Sequence, residues 1–94
     1  MRLRVQYTAQ LRTVVGRAEE EINLPEGSNL AELLMYLASE TRREAAEYLL
    51  DSGGGLQPSL LVAVNNRAIS ACEARAVTMN TGDIVTLLPP IAGG

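Results

Sequence analysis

Histidine, lysine, tryptophan and phenylalanine are absent from this chain of 94 residues, and cysteine occurs once. Without histidine the chain has no Ser-His or Cys-His pair, and no side chain whose ordinary pKa lies near neutrality to act as a general base. A zinc site built from Cys and His ligands is excluded by the same inventory. We therefore expect no metal site, no bound cofactor and no catalysis by this chain alone.

The remaining composition is typical of one small cytoplasmic domain. Ninety-four residues can bury a single core, and no apolar stretch is long enough to cross a bilayer. The segment that begins at Met1 lacks the apolar core of a secretory signal. Cys72 has no partner for an internal disulfide, which fits a reducing compartment, and we expect it to be a small buried residue. These features predict a cytoplasmic location without membrane association.

The charge balance argues against a nucleic-acid partner. All eight basic residues are arginines, and the 11 acidic residues bring the net charge to −3. No basic stripe offsets that charge, so we expect no nucleic-acid surface. The lack of lysine also leaves the α-amine of Met1 as the one internal amine that an activated carboxyl group could acylate.

Two strands are predicted near the start of the chain. Polar and apolar residues alternate over Arg2–Tyr7, which indicates a half-buried strand. Residues 18–24 predict a second strand with Ile22 and Leu24 inward, reached through a polar connection that contains Gly16. An antiparallel hairpin is the natural pairing of the two.

The outer face of this hairpin carries opposite charges on its two strands. Arg2 and Arg4 lie on the first strand, and Glu19 and Glu21 lie on the second. We interpret the acidic run as a solvated cross-strand partner of the arginines, and not as a binding motif.

The middle of the chain predicts one main helix. Asn29 and Glu32 have the spacing of a capping box, which places the helix start there. Four leucines follow at helical spacing and form an apolar stripe that must cover the sheet: Leu30, Leu33, Leu34 and Leu37. Residues 41–50 predict a second helical piece. The loop 51–55 lacks the Gly-Lys-Ser/Thr ending of a phosphate-binding loop.

The last third of the chain predicts three more strands. The apolar run 60–64 is typical of a central or a well-covered strand. Residues 67–69 predict a short returning strand, and residues 84–88 predict the last strand. Residues 71–77 fit either a helical turn or a loop. The order predicts an α+β roll, with a mixed sheet of four to five strands and one main helix packed on one face. The other face of the sheet would then be available to a partner.

The tail that follows the last strand is unusual in composition. Pro89 and Pro90 favour an extended stem that projects from the globule. Ile91 and Ala92 follow, and Gly93 and Gly94 end the chain as a thin segment that can enter a narrow slot. Fully extended, the tail spans roughly 20 Å. We interpret the carboxylate of Gly94 as the functional group.

The chain resembles the ubiquitin-like β-grasp sulfur carriers, and most closely the small subunit of molybdopterin synthase. The likeness covers nearly the whole chain and is most specific in the tail Pro89-Pro90-Ile91-Ala92-Gly93-Gly94, the strand Leu61-Val62-Ala63-Val64-Asn65 and the turn Thr81-Gly82-Asp83. It implies a β-grasp domain over residues 1–88 and a flexible extended tail over residues 89–94.

The resemblance also implies a mechanism that belongs to partner proteins. In the family an E1-like adenylating enzyme uses ATP to transfer AMP to the terminal carboxylate, and a sulfur donor then converts it to a thiocarboxylate. The tail inserts into the large subunit of molybdopterin synthase, where the sulfur builds the dithiolene of molybdopterin. Gly94 would carry the sulfur, Gly93 would give clearance, Ile91 and Ala92 would anchor the tail, and the two prolines would hold it away from the body.

Two departures from the small-subunit pattern leave other functions open. The segment 41–58 is longer than in compact small subunits, and Leu87-Leu88 stands where aromatic residues are common. The alternatives are a sulfur carrier for tRNA thiolation or for thiamin, and a ubiquitin-like modifier whose tail forms an isopeptide bond with a lysine. A third alternative is an interaction module with an inert tail. Arg67 and Arg75 are weak candidates for polar contacts with a partner, because surface charges are more often merely solvated.

Overall fold

The sheet is mixed and holds the chain's last strand at its centre. The computed structural model describes residues 1–40 and 43–88. Within them the chain forms five strands: β1 (Arg2–Tyr7), β2 (Glu19–Asn23), β3 (Leu61–Val64), β4 (Arg67–Ser70) and β5 (Ile84–Leu88). Their order across the sheet is β2-β1-β5-β3-β4, with β1 parallel to β5 and the other neighbours antiparallel. This arrangement confirms the predicted α+β roll.

The helices of the described residues are α1 (Ala9–Val15), α2 (Leu30–Glu40), α3 (Arg43–Leu49) and a 3₁₀ helix (Ala71–Ala76). The predicted capping box begins α2: the Asn29 side chain accepts a hydrogen bond from the Glu32 backbone N–H at 2.8 Å, and the Glu32 carboxylate accepts one from the Asn29 N–H at 3.0 Å. All four leucines of the predicted stripe are buried. The second helical piece is confirmed as α3, although the predicted positions Thr41 and Arg42 lie outside the described residues.

The connection expected between the first two strands contains helix α1, so the prediction of one main helix was incomplete. Leu11 is fully buried, and Val14 and Val15 pack against the core at the i+3 and i+4 positions. Gly16 ends the helix in the left-handed conformation with φ of 87°, and its N–H donates to the Arg12 carbonyl at 3.0 Å. The segment forms a helix because these three apolar side chains are buried against the core, although its other residues are mostly polar.

The core lies between the helices and one face of the sheet. The sheet contributes side chains of one parity from every strand: Leu3, Val5, Tyr7, Ile22, Val62, Ile69, Val85 and Leu87. The helices contribute Leu11, the four leucines of α2 and Leu49. Full burial of one such aliphatic side chain stabilises a fold by roughly 1.5–3 kcal/mol. The alternation predicted for β1 and the inward position predicted for Ile22 are confirmed, whereas Leu24 lies beyond β2 and is half-buried.

Cys72 is exposed, which corrects the prediction of a buried residue. Ser70 precedes the 3₁₀ helix, and the carboxylate of Glu73 accepts hydrogen bonds from the Ser70 hydroxyl at 2.7 Å and from its N–H at 3.1 Å. These bonds hold the pKa of Glu73 below its usual range. With the helix fixed in this way, Ala71 and Ala74 point inward and Cys72 points outward.

The strand β3 is central but is covered on one face only. Val62 is buried, whereas Leu61 is 60% exposed. The position of β3 between β5 and β4 confirms the first of the two alternatives that the run 60–64 predicts, a central strand, and the exposure of Leu61 excludes the second, a strand covered on both faces. The second apolar face of β3 belongs to the open side of the sheet, which the helices do not cover.

Candidate functional site at the root of the tail

The site residues predicted from the sequence are Pro89, Pro90, Ile91, Ala92, Gly93 and Gly94, and all six lie outside the described residues. The structure therefore describes the point from which they leave. That point is Leu88, the last residue of β5. We call Leu88 the tail root.

The tail root belongs to the central strand of the sheet, which fixes its position. Strand β5 lies between β1 and β3, and its residues Val85 and Leu87 are fully buried. One side chain adds a further tie, because the Thr8 hydroxyl donates a hydrogen bond to the Leu87 carbonyl at 2.8 Å. Thr8 is the residue immediately before α1. The root is therefore fixed by both neighbouring strands and by the helix start that sequence reasoning missed.

An apolar surface on the open side of the sheet extends to the tail root. Leu88 stands directly opposite Leu61 of β3, and the two side chains are 38% and 60% exposed. Ile84 begins the same strand, lies on the same face as Leu88 and is 39% exposed. Cross-strand partners on this face complete the surface, which we call the apolar half: Leu61, Ala63, Ala68, Ile84 and Leu88.

The other part of the open face is charged and neutralises itself. Arg2 pairs with Glu21 at 3.2 Å, and Arg4 pairs with Glu19 at 3.3 Å. This confirms the predicted cross-strand pairing. We call these four residues the charged half. At the boundary between the halves, the Thr86 hydroxyl donates to the Gln6 side chain at 3.1 Å.

A partly buried polar contact lies on the covered side of the sheet, opposite the charged half. The Tyr7 hydroxyl donates to the Glu20 carboxylate, which Arg17 also contacts at 3.2 Å. Burial, reinforced by the hydrogen bond to Glu20, raises the pKa of Tyr7 far above its ordinary value of 10.0. Tyr7 therefore stays protonated as a donor, which is a structural role and not a catalytic one.

The two arginines considered as polar contacts lie away from the apolar half. Arg67 pairs in register with Val64, which in turn faces Val85, so Arg67 belongs to the parity of the covered face. Arg75 lies on the 3₁₀ helix. Neither residue is therefore part of the surface that adjoins the tail root.

Sequence reasoning missed how the open face is divided. The sequence did contain a signal for this division. Both sets of alternate positions in β3 and β5 include apolar residues, and Leu61, Ile84 and Leu88 belong to the set that faces away from the helices. Exposed apolar residues that cluster in this way mark interaction sites in many proteins. The open face thus combines an exposed apolar surface with the end of the strand that precedes residues 89–94.

Residues 1–40 and 43–88 contain no group of three or more His, Cys, Asp or Glu side chains that could hold a metal ion. Among the same residues no helix is both long and apolar enough to span a membrane.

Comparisons with known proteins agree with this geometry. A family model, the ThiS family, matches residues 5–94. The chain is 28% identical to small archaeal modifier protein 3 of Haloferax volcanii over 94 residues, with all of both chains covered.

Two solved structures share the fold over nearly their full lengths. The crystal structure of SAMP1 from Haloferax volcanii superposes with a TM-score of 0.85 at 20% identity, with both chains fully covered. A putative molybdopterin converting factor, subunit 1, from Pyrococcus furiosus gives 0.75 at 28% identity, covering 97% of this chain and 99% of that one. The resemblance inferred from the tail and strand motifs is confirmed at the level of the group. The chain belongs to the ThiS family and is a ubiquitin-like β-grasp carrier, not an enzyme.

Proposed function

We propose that this protein carries sulfur as a thiocarboxylate on Gly94 and donates it for the dithiolene of molybdopterin. The observation that supports the proposal is the continuity between the apolar half and the tail root. A partner that docks on Leu61 and Leu88 lies at the point where residues 89–94 begin. A partner that docks on this side of the sheet would therefore receive the tail at the same time.

The chemistry requires activation by another protein. A terminal carboxylate has an ordinary pKa of about 3.5, so Gly94 is an anion at neutral pH and a poor electrophile. An E1-like adenylating enzyme would use ATP to form the acyl-adenylate, with pyrophosphate as the leaving group. A donor that supplies sulfur as sulfide would then attack the Gly94 carbonyl carbon; the new C–S bond replaces the C–O bond to AMP, AMP leaves, and the product is the thiocarboxylate. ATP belongs to the partner in this scheme, and the chain itself holds no cofactor.

The tail residues would have distinct roles in the partner. Pro89 and Pro90 would keep the segment extended, and Ile91 and Ala92 would anchor it at the mouth of the slot. Gly93 would let the backbone pass where a side chain would clash. The recipient in this proposal is the large subunit of molybdopterin synthase, and the 28% identity to a putative molybdopterin converting factor subunit supports that choice.

The experiment is thiocarboxylation in vitro, followed by intact mass. The protein is incubated with the adenylating enzyme, ATP and a sulfur donor, and the product is trapped with a thiol-reactive alkylator. Trapping distinguishes exchange of oxygen for sulfur from methionine oxidation, which changes the mass by nearly the same amount. Because Cys72 is exposed and would also be alkylated, the Cys72→Ala variant is the background.

The expected product carries one alkyl group in the Cys72→Ala background, and deletion of Gly94 abolishes it without unfolding the domain. Transfer is then measured with the large subunit and the sulfur-free pterin precursor. A label that persists after deletion of Gly94 would count against the thiocarboxylate. Efficient labelling without any transfer to the pterin would remove molybdopterin as the destination.

A second candidate function is protein modification. The full-length match to small archaeal modifier protein 3 favours it, and the lack of lysine would prevent lysine-linked chains of this protein. In that case Gly94 would form an isopeptide bond with the ε-amine of a target lysine. Detection of Gly-Gly remnants on lysines of other proteins, dependent on Gly94, would select this candidate. A carrier for tRNA thiolation or thiamin would show thiocarboxylate formation with transfer to those products.

A further inference from the structure

A groove on the helical side of the molecule is not used by the docking surface described above. Its walls are the outer side of α2, the loop 54–58 and the 3₁₀ helix, and its volume is about 780 Å³. That volume lies within the roughly 300–1,000 Å³ range of ligand pockets. The groove is lined mainly by small or apolar side chains, including Ala31, Met35, Leu56, Pro58 and Ala71.

One end of the groove lies close to the tail root. Leu88, Leu61 and Ser70 form a row across three neighbouring strands at the same end of the sheet. Since neighbouring strands are about 4.8 Å apart, the Cα atoms of Leu88 and Ser70 are separated by about 10 Å. Ser70 is followed at once by Ala71, which lines the groove. Residues 89–94 reach roughly 20 Å when extended, so their end can enter the groove.

The groove and the tail match in chemistry. Ile91 and Ala92 supply apolar side chains for its apolar lining, and the two glycines that follow add only backbone. Arg75 lines the groove, and no ion pair within residues 1–40 and 43–88 includes it. A guanidinium in this position can pair with the carboxylate of Gly94. The α-amine of Met1, by contrast, is tied to the Leu24 carbonyl at 2.7 Å.

We propose that the groove binds this chain's own residues Ile91–Gly94, with the Gly94 carboxylate paired to Arg75, whenever no partner holds the tail. Because the tail is covalently attached, its effective concentration at the groove is in the millimolar range, so a weak contact is sufficient. The consequence for activity rests on the proposed function: a docked tail is withheld from the adenylating enzyme. The apparent association constant for that enzyme is the intrinsic one multiplied by the fraction of molecules whose tail is undocked.

Cys72 lines the same groove and is exposed, so it reports on occupancy. The rate of its alkylation by iodoacetamide, a neutral reagent, is measured on the unmodified protein without any enzyme. A tail that occupies the groove about 80% of the time would slow alkylation about fivefold relative to a chain ending at Leu88. The double variant Ile91→Ser/Ala92→Ser keeps the tail's length and charge, and should recover most of that rate.

The role of Arg75 is tested with two controls. Arg75→Gln should accelerate alkylation in the full chain but not in the chain ending at Leu88, which separates loss of the tail contact from a direct effect on the thiol. Arg67→Gln, an exposed arginine outside the groove, should leave the rate unchanged. Circular dichroism confirms that each variant is folded.

Equal alkylation rates for the full and the shortened chain would overturn the proposal. So would protection that increases with protein concentration, since the occupant would then be the tail of a second copy. These outcomes do not depend on adenylation or sulfur transfer. If thiocarboxylation fails while Cys72 is protected, the proposed function is wrong and the groove proposal stands.

Discussion

The two halves of the open sheet face differ in how their side chains are satisfied. In the charged half, each arginine has its carboxylate partner on the neighbouring strand. In the apolar half, Leu61 and Leu88 stand opposite each other on neighbouring strands, and much of their surface is exposed to water. Burial of exposed apolar surface drives most protein association, whereas paired surface charges contribute little. We therefore expect a partner that docks on the open face to gain most of its binding energy on β3 and β5, beside the tail root.

The largest expected effect comes from placing a charge in the apolar half. Leu61→Arg should weaken binding to the adenylating enzyme about 10- to 100-fold, or about 1.4–2.8 kcal/mol, because a desolvated guanidinium would replace an apolar anchor. Isothermal titration calorimetry measures this change. Since Leu61 is exposed, the free energy of unfolding should change by less than about 0.5 kcal/mol.

The matched control puts the same residue in the other half of the face. Asn23 is exposed on β2 and pairs with Arg2, so Asn23→Arg adds an arginine beside the charged half. We expect this variant to bind the enzyme nearly as well as the parent protein. Equal losses from both variants would show that the two halves do not differ in docking.

An intermediate effect is expected on the covered side of the sheet, at Tyr7. Tyr7→Phe removes the hydroxyl that donates to Glu20 and should lower the free energy of unfolding at neutral pH by about 1 kcal/mol. Urea denaturation measures it. A larger loss of unfolding free energy from Tyr7→Phe than from removal of the surface ion pairs would show that the Tyr7–Glu20 hydrogen bond contributes more to stability than those pairs do.

The same tyrosine gives a pH dependence of defined sign. Its pKa is raised in the folded protein above 10.0, so above about pH 10 the unfolded chain releases a proton that the folded chain retains. The free energy of unfolding should therefore fall with rising pH, by up to about 1.4 kcal/mol per pH unit, and Tyr7→Phe should remove this contribution. An identical alkaline slope in both proteins would contradict the assignment.

The smallest effect is expected within the charged half itself. A double-mutant cycle with Arg4→Ala and Glu19→Ala should give a coupling energy of about 0.2–0.5 kcal/mol, since both side chains are largely solvated. The coupling should weaken further at high salt. A value above 1 kcal/mol would show that the charged half contributes more to stability than its exposure indicates.

Local patterns predicted much of this fold. The alternation of β1, the Asn29–Glu32 capping box and the leucine stripe of α2 each depend on near neighbours in sequence, and each is confirmed. Helix α1 was missed because its stripe is short and its other residues are polar. Its burial depends on contacts with distant elements, which one segment's sequence does not reveal.

The site was predictable only in part, for a similar physical reason. The tail stands out in composition, but the surface beside it results from register. Leu61 and Leu88 are adjacent because β3 and β5 pair with these two residues opposite each other. A continuous apolar run such as Leu60–Val64 does not reveal which parity faces the helices. Sequence therefore indicated a reactive end, and the structure adds the surface that would present it.

The position of β5 also determines how the molecule responds to a pull on its tail. A partner that pulls on the tail would apply tension along β5. The hydrogen-bond ladders to β1 and β3 lie on either side of that strand. The hydrogen bonds of both ladders run across the direction of the force, so the force would load them together in shear and would not break them one after another. The Thr8 contact to Leu87 adds a bond near the loaded end. We therefore expect the folded domain to resist unfolding under tension applied at its carboxyl end.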